Sequence, residues 1–224
     1  MQIFSARIGE ANPVSQASSY ATAFASTENP LSEGGIWVQG GVDGGSWNNV
    51  KTDGANCIGA SDTFYLTSRY ADDVAHLKKS FFDFVDNQYA QGTVYKADGY
   101  TGNGGSHEVE LLLRWEITNG NIRGYEVLFG VPGLGYLAIV RWNGPLGDYT
   151  ALYADATSIA AIQDGDVLRA EMIGNQITVY KNTVQVAQVS DSAFTEGQPG
   201  VGFWPVDGAI KESLGWKDFS CGNL

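Results

Sequence analysis

From Ser80 to the C-terminus the chain is a succession of short runs in which apolar and polar residues alternate, each bounded by Gly, Asn, Asp or Pro. A period of two places alternate side chains on opposite faces of a half-buried strand. The runs are Phe81 to Val85, Gln91 to Tyr95, Glu108 to Ile117, Tyr125 to Phe129, Tyr136 to Trp142 and Tyr149 to Tyr153, followed by Val167 to Ile173, Ile177 to Lys181, Val184 to Val189, Val201 to Trp204 and Leu214 to Phe219. With no helical pattern of useful length between them, they predict an all-β, two-sheet antiparallel sandwich or jelly roll. Only Asp72 to Lys79 departs: acids at its start and lysines at its end match a helix dipole, predicting about two helical turns. Gly34 to Gly59 is glycine-rich and reads as loop and short strand, and residues 1–25 as a weakly patterned leading segment. No internal repeat is visible.

The 224 residues suit one all-β domain spanning 1–224, and 43% hydrophobic content supplies its core. A net charge of -12 without a basic stripe disfavours nucleic acid and anionic membranes. No stretch approaches the ~20 apolar residues of a membrane helix. The first residues lack a signal-peptide pattern, and the expected setting is nevertheless extracellular or surface-exposed, with a cytoplasmic or phage origin left open. Cys57 and Cys221 lie near opposite ends of the chain. They are either a staple between terminal strands or two free buried thiols.

Thr178-Val-Tyr-Lys-Asn with Val184 and Val186, then Asp191-Ser-Ala-Phe-Thr-Glu-Gly-Gln-Pro-Gly-Val-Gly-Phe-Trp and the closing Gly215-Trp-Lys-Asp-Phe, resemble the C-terminal half of concanavalin A-like lectin/glucanase domains. That superfamily holds lectins, laminin G-like modules, glycoside hydrolases, polysaccharide lyases and phage or bacterial surface modules. The resemblance implies a jelly roll with carbohydrate on its concave sheet. It also implies a structural Ca²⁺ near the terminal strands, with Asp218 and Glu28 as ligands. Thr183 stands where such hairpins often carry Gly, and a β-branched residue resists positive φ, so a turn longer than two residues is expected.

The strand Glu108-Val-Glu-Leu-Leu-Leu-Arg-Trp-Glu divides by alternation. Val109, Leu111, Leu113 and Trp115 read as core, and Glu108, Glu110, Arg114 and Glu116 as an exposed face. Neighbours on one face stand about 6.6–7 Å apart, so two carboxyls reach the roughly 5–5.5 Å of a retaining glycosidase. Glu108 and Glu110 fit the first two acids of a laminarinase-type Glu-x-Asp-x-(x)-Glu strand, and Leu112 or Leu113 stands where the third belongs. As a lyase, Arg114 would neutralise a uronate and Tyr125 or His107 serve as base, although no Gln-x-His occurs. The alternative is a solvated face whose ion pairs involve Arg141, Arg169 and Glu171.

Sugars stack on aromatic rings and need polar groups for their hydroxyls. Trp37, Trp47 and Tyr100 sit in glycine-rich segments and are candidate stacking rings, with His107, Tyr125, Glu126 and Arg141 as polar contacts. Trp204 and Trp216 read as core. Tyr100 to His107 forms a glycine-rich loop that either closes over a ligand or is a plain turn. Two His and two Cys show no transition-metal spacing, and no nucleophile elbow or phosphate loop occurs. Recognition of a polysaccharide or glycan is the leading expectation; a polysaccharide-degrading enzyme on the same face and a structural or interaction module are the alternatives.

Overall fold

The computed structural model describes residues 16–60, 72–102, 107–131, 135–204 and 212–224. Its strands are β1 (Ser19–Thr22), β2 (Thr27–Glu28), β3 (Trp37–Gln39), β4 (Val50–Asp53), β5 (Cys57–Gly59), β6 (Asp73–Leu77), β7 (Gln88–Lys96) and β8 (His107–Thr118). They continue as β9 (Asn121–Val131), β10 (Tyr136–Gly144), β11 (Tyr149–Asp155), β12 (Val167–Ile173), β13 (Gln176–Lys181), β14 (Val184–Ser190), β15 (Gln198–Trp204) and β16 (Leu214–Asn223). One sheet runs β11-β10-β9-β8-β15-β6-β3, and the other β14-β13-β12-β7-β16-β5-β4-β2 with β1 added beside β16.

The two sheets face each other as a jelly-roll sandwich. Val109, Leu111, Leu113 and Phe129 from the first meet Ala90, Val94, Leu168 and Trp216 from the second in one buried cluster. Each large side chain buried there contributes about 1.5–3 kcal/mol. The first sheet also carries a second apolar cluster on its outward face, with Trp47, Val74, Leu112, Trp115 and Trp142 among its members. Trp47 packs edge-on against Trp142 at 4.5 Å and Trp115 at 6.2 Å between ring centroids. A short helix, α1 (Gly40–Gly44), leads into this corner, where Gly44 lies against Ile117 and Ile122.

Trp115 reaches that outward cluster because the alternation of β8 breaks at Arg114. Against β9, Leu113 pairs with Tyr125 and Glu116 with Arg123, and against β15, Leu112 pairs with Gly200 and Trp115 with Gln198. In both ladders β8 therefore has one extra residue. Arg114 adopts φ 46°, as the bulged position of such a kink demands, and opposite it Pro199 has no N–H to offer the ladder. Val109, Leu111 and Leu113 face the core as expected; beyond the bulge the faces exchange, so Trp115 is buried on the other side from its expected partners.

Three further expectations are corrected, and the alternative left open for the two cysteines is resolved. Asp73 to Leu77 is a fully buried strand paired with β15 and β3 rather than a helix, because two ladders and burial outweigh a dipole match of about 0.3–1 kcal/mol. Phe81 to Val85 is not a strand, yet it keeps its alternation, burying Phe82 and Phe84 and exposing Phe81 and Val85. The β13–β14 turn has two residues, since Lys181 pairs with Val184, and Thr183 accepts φ 71°. Cys57 and Cys221 are free and buried. Cys57 is level with Trp216 and Cys221 with Ala90 along β16; five residues of strand separate these levels by about 16 Å, beyond disulfide reach.

Candidate functional site

Ahead of the bulge, β8 presents Glu108, Glu110 and Leu112 outward, and register fixes what stands beside each. Glu108 lies between Trp204 and Gly130, Glu110 between Gly202 and Leu128, and Leu112 between Gly200 and Glu126. Directly paired residues share a face, so Glu126 joins the acids of β8 from the neighbouring strand. Asp72 arrives from the other side, immediately before β6. A carboxylate oxygen from each of Asp72, Glu110 and Glu126 lies within 4.8 Å of the others.

Two glycines give these side chains their paths. A Cβ on Gly202 would fall far inside van der Waals contact with Glu110 Oε2, and one on Gly130 would collide with the Tyr136 ring. Glu110 thus lies across β15, while Tyr136 lies across β9 and its hydroxyl donates to Glu108. Trp142 Nε1–H donates to Glu126. Glu110 is fully buried, and neither of its carboxyl oxygens accepts a hydrogen bond.

Electrostatics follow from this crowding of acids. Burial, then the charge of Glu126, raises Glu110 well above the usual carboxyl range, and the same two causes raise Asp72. Burial and then Glu108 push Glu126 up to about 8, against the opposing bond from Trp142. Desolvation lifts Glu108 to about 7, with the Tyr136 bond opposing. Above these acids opens a pocket of about 290 Å³ with Asp72, Glu108 and Glu126 in its lining and Tyr136, Trp142, Tyr149 and Trp204 as aromatic walls. Tyr149 is 46% exposed, and its ring packs at a tilt against Trp142 with the centroids 5.3 Å apart.

The structure brings Glu108, Glu110 and Glu126 together and disperses the other sequence candidates. Glu110, expected to be exposed, is buried. Arg114 turns away from the acids and donates to the carbonyls of Asp86, Phe194 and Gly174. Glu116, beyond the bulge, pairs with Arg123 at 2.6 Å. Tyr125 points into the core and donates to Asp191, which also pairs with Arg141. Arg169 pairs with Glu171 on the other sheet, away from Arg114 and Arg141.

The aromatic candidates in glycine-rich segments are packed rather than presented. Trp37 is core, its Nε1–H donating to Glu33 at 2.8 Å, and Trp47 belongs to the outward cluster. Tyr100 packs on the core and contacts Nδ1 of His107, itself buried and pushed down to about 4 by desolvation. Of the loop between them, residues 103–106 lie outside the described residues. Asp218 accepts from the Thr93 N–H, and Glu28 from the N–H groups of Ser32 and Glu33. Neither belongs to the acidic group that comes together among the described residues, and β2, which carries Glu28, lies three strands from β16, which carries Asp218.

Sequence reasoning missed Asp72, Tyr136, Trp142 and Tyr149 as site residues and assigned Trp204 to the core. Asp72 was hidden by the helical reading. Tyr136 and Trp142 carry a usable signal, a same-face aromatic at each end of the Tyr136 to Trp142 run, but only register places that face beside Glu108 and Glu126.

No protein-family profile matches the chain, and no curated protein matches it. Solved structures do. The carbohydrate-binding module CBM66 from Bacillus subtilis aligns over 86% of this chain and 96% of its own at 16% identity and a TM-score of 0.54. A prokaryotic β-1,3-1,4-glucanase (lichenase) derived from a mouse hindgut metagenome aligns over 92% and 100% at 11% identity and a TM-score of 0.56. The carbohydrate recognition domain of Emp47p aligns over 94% and 99% at 15% identity and a TM-score of 0.51. The chain thus has the concanavalin A-like jelly-roll fold.

Proposed function

We propose that the outward face of the seven-stranded sheet recognises carbohydrate, with the acid-floored pocket taking one sugar unit of a polysaccharide or glycan. The observation that carries this reading is the pocket itself, in which Tyr136, Trp142, Tyr149 and Trp204 surround Asp72, Glu108 and Glu126. Rings stack on the C–H faces of a sugar and carboxyls bond its hydroxyls. At about 290 Å³ the volume sits near the ~300 Å³ lower bound of small-ligand pockets, which suits a single unit. Structural neighbours named for carbohydrate binding support the same reading, and such a role belongs to an extracellular or surface-exposed protein. Among the described residues no helix is long and apolar enough to cross a membrane.

Glycan-array binding followed by calorimetry tests the proposal. Tyr149→Ala removes an exposed ring at little cost to folding and should weaken binding about tenfold, the equivalent of ~1.4 kcal/mol. Absence of binding to every glycan offered, or unchanged affinity in both Tyr149→Ala and Trp142→Phe, would end it.

One observation favours a second reading, a glycoside hydrolase on the same face. Glu126 stands directly opposite Leu112, where the laminarinase-type strand would carry its third acid, and Glu108 near 7 suits a general acid at neutral pH. Product analysis on β-glucans, xylan, alginate and glucuronan decides it. Glu108→Gln should lower turnover about 10²-fold or more; no product from the parent protein rejects the hydrolase.

A further inference from the structure

The geometry points to a Ca²⁺ site formed by Asp72, Glu110 and Glu126 in the floor of the pocket, whose open coordination positions take hydroxyls of the bound sugar. The second clause rests on the carbohydrate reading; the first does not. The three acids come from different places, the approach to β6, the middle of β8 and β9, and they converge to within 4.8 Å. Three oxygens within 4.8 Å of one another share a centre no more than about 2.8 Å from each, which a small side-chain shift brings to the 2.3–2.6 Å of Ca²⁺–oxygen bonds.

Convergence of acids alone proves little, and Glu110 supplies the independent observation. It lies behind the pocket wall, fully buried, with both carboxyl oxygens lacking any hydrogen-bond partner. Among the described residues, no ion pair involves Asp72, Glu110 or Glu126. A buried carboxyl aimed at two others is what a cation fills and what a folded core otherwise avoids. Gly202 acts in the same direction, since any side chain there would displace the Glu110 carboxyl.

The donor set selects the ion. All three ligands are hard oxygens, without His or Cys, which favours Ca²⁺ or Mg²⁺ over Zn²⁺. Three protein ligands leave several of the six to eight Ca²⁺ positions open, and Ca²⁺ exchanges water for other oxygens in flexible geometry where Mg²⁺ retains its own. Asp72 and Glu126 line the pocket, so those positions face the space where a sugar would sit.

The test is calorimetric titration of the chelator-stripped full chain with CaCl₂ in sugar-free buffer, with melting followed in parallel. One ion per chain is expected, together with a melting temperature higher by roughly 5–10 °C at a hundredfold excess over Kd. Glu110→Gln and Asp72→Asn should each weaken Ca²⁺ at least tenfold, and Asp72→Asn carries the test if the buried Glu110→Gln fails to fold. Glu28→Gln and Asp218→Asn should bind as the parent does, and Mg²⁺ should bind more weakly. No heat and no melting shift up to about 10 mM Ca²⁺, beyond the range of extracellular Ca²⁺ modules, would overturn the site. Undiminished binding in Asp72→Asn and Glu110→Gln would also overturn it, by placing the ion elsewhere. Glycan binding is then measured with Ca²⁺ and with EGTA. A loss in EGTA supports hydroxyl coordination, and an unchanged affinity rejects that clause alone. Failure to bind any glycan in either buffer rejects the carbohydrate reading while the ion titration stands.

Discussion

Gly202 and Glu110 act as one unit, because the carboxyl occupies the volume a side chain on residue 202 would need. Gly202→Ala should therefore cost about 1–3 kcal/mol by overpacking, read from urea denaturation. The cost should shrink in a Glu110→Ala background, where the obstruction is gone; equal costs in both backgrounds would show that the two residues are independent. Thr183 is the opposite case, an L-residue held at φ 71° in a two-residue turn. Thr183→Gly should relieve about 1 kcal/mol of left-handed strain, and an unchanged or lower melting temperature would contradict this. His76 offers a pH readout. Its Nδ1 lies 2.7 Å from the Leu77 carbonyl and its Nε2 accepts from the Ile117 N–H, so the ring is held neutral, and burial pushes it down to about 4. The unfolded chain takes up this proton below about 6.5. The contribution is thus fully present above that pH and lost as pH falls towards 4, at up to about 1.4 kcal/mol per pH unit. The urea midpoint of the parent should fall relative to His76→Gln over that window, and a constant difference would refute the neutral-ring assignment.

At the scale of the element, β8 decides which side chains reach the pocket. Its bulge is held by Arg114, whose N–H donates to Gln88 and whose guanidinium serves the carbonyls of Asp86, Phe194 and Gly174. A lysine amine cannot span that fork, so Arg114→Lys should destabilise by about 3 kcal/mol or more, the scale of several hydrogen bonds to a charged group. Melting within a degree of the parent would show that the bulge does not need the fork. The alternation from Glu108 to Leu113 was legible from two-residue periodicity, which is why Glu108 and Glu110 were placed on one face of the strand, although Glu110 on that face is buried and not solvated. Past Arg114 the same rule inverted Trp115 and Glu116, since one inserted residue exchanges every face. Pro199, read from sequence as lying just ahead of the Val201 to Trp204 run, falls inside strand β15 of the structure, and a proline within a ladder marks an edge or a bulge. Strand β6 was misread for another reason: its acid-first, lysine-last order is a weak local signal, and the partners that make it a strand lie in β3 and β15.

For the whole molecule, the two-sheet architecture followed from the repeated alternation of the second half, because burial of one face is a property each strand carries by itself. The site did not follow, because its residues come from β8, β9, β10, β11, β15 and the approach to β6, and strand order and register are not written in any one segment. Trp47, Trp115 and Trp142, described above as packing, therefore have a further meaning. They stand across the outward face just beyond Leu112 and Glu126, so a polymer laid along the strands runs into a wall of indole. On the carbohydrate reading the pocket is a dead end that reads chain termini, and affinity for a ladder of oligosaccharides should stop rising after one or two units; a steady gain with length would mean the chain crosses the strands instead.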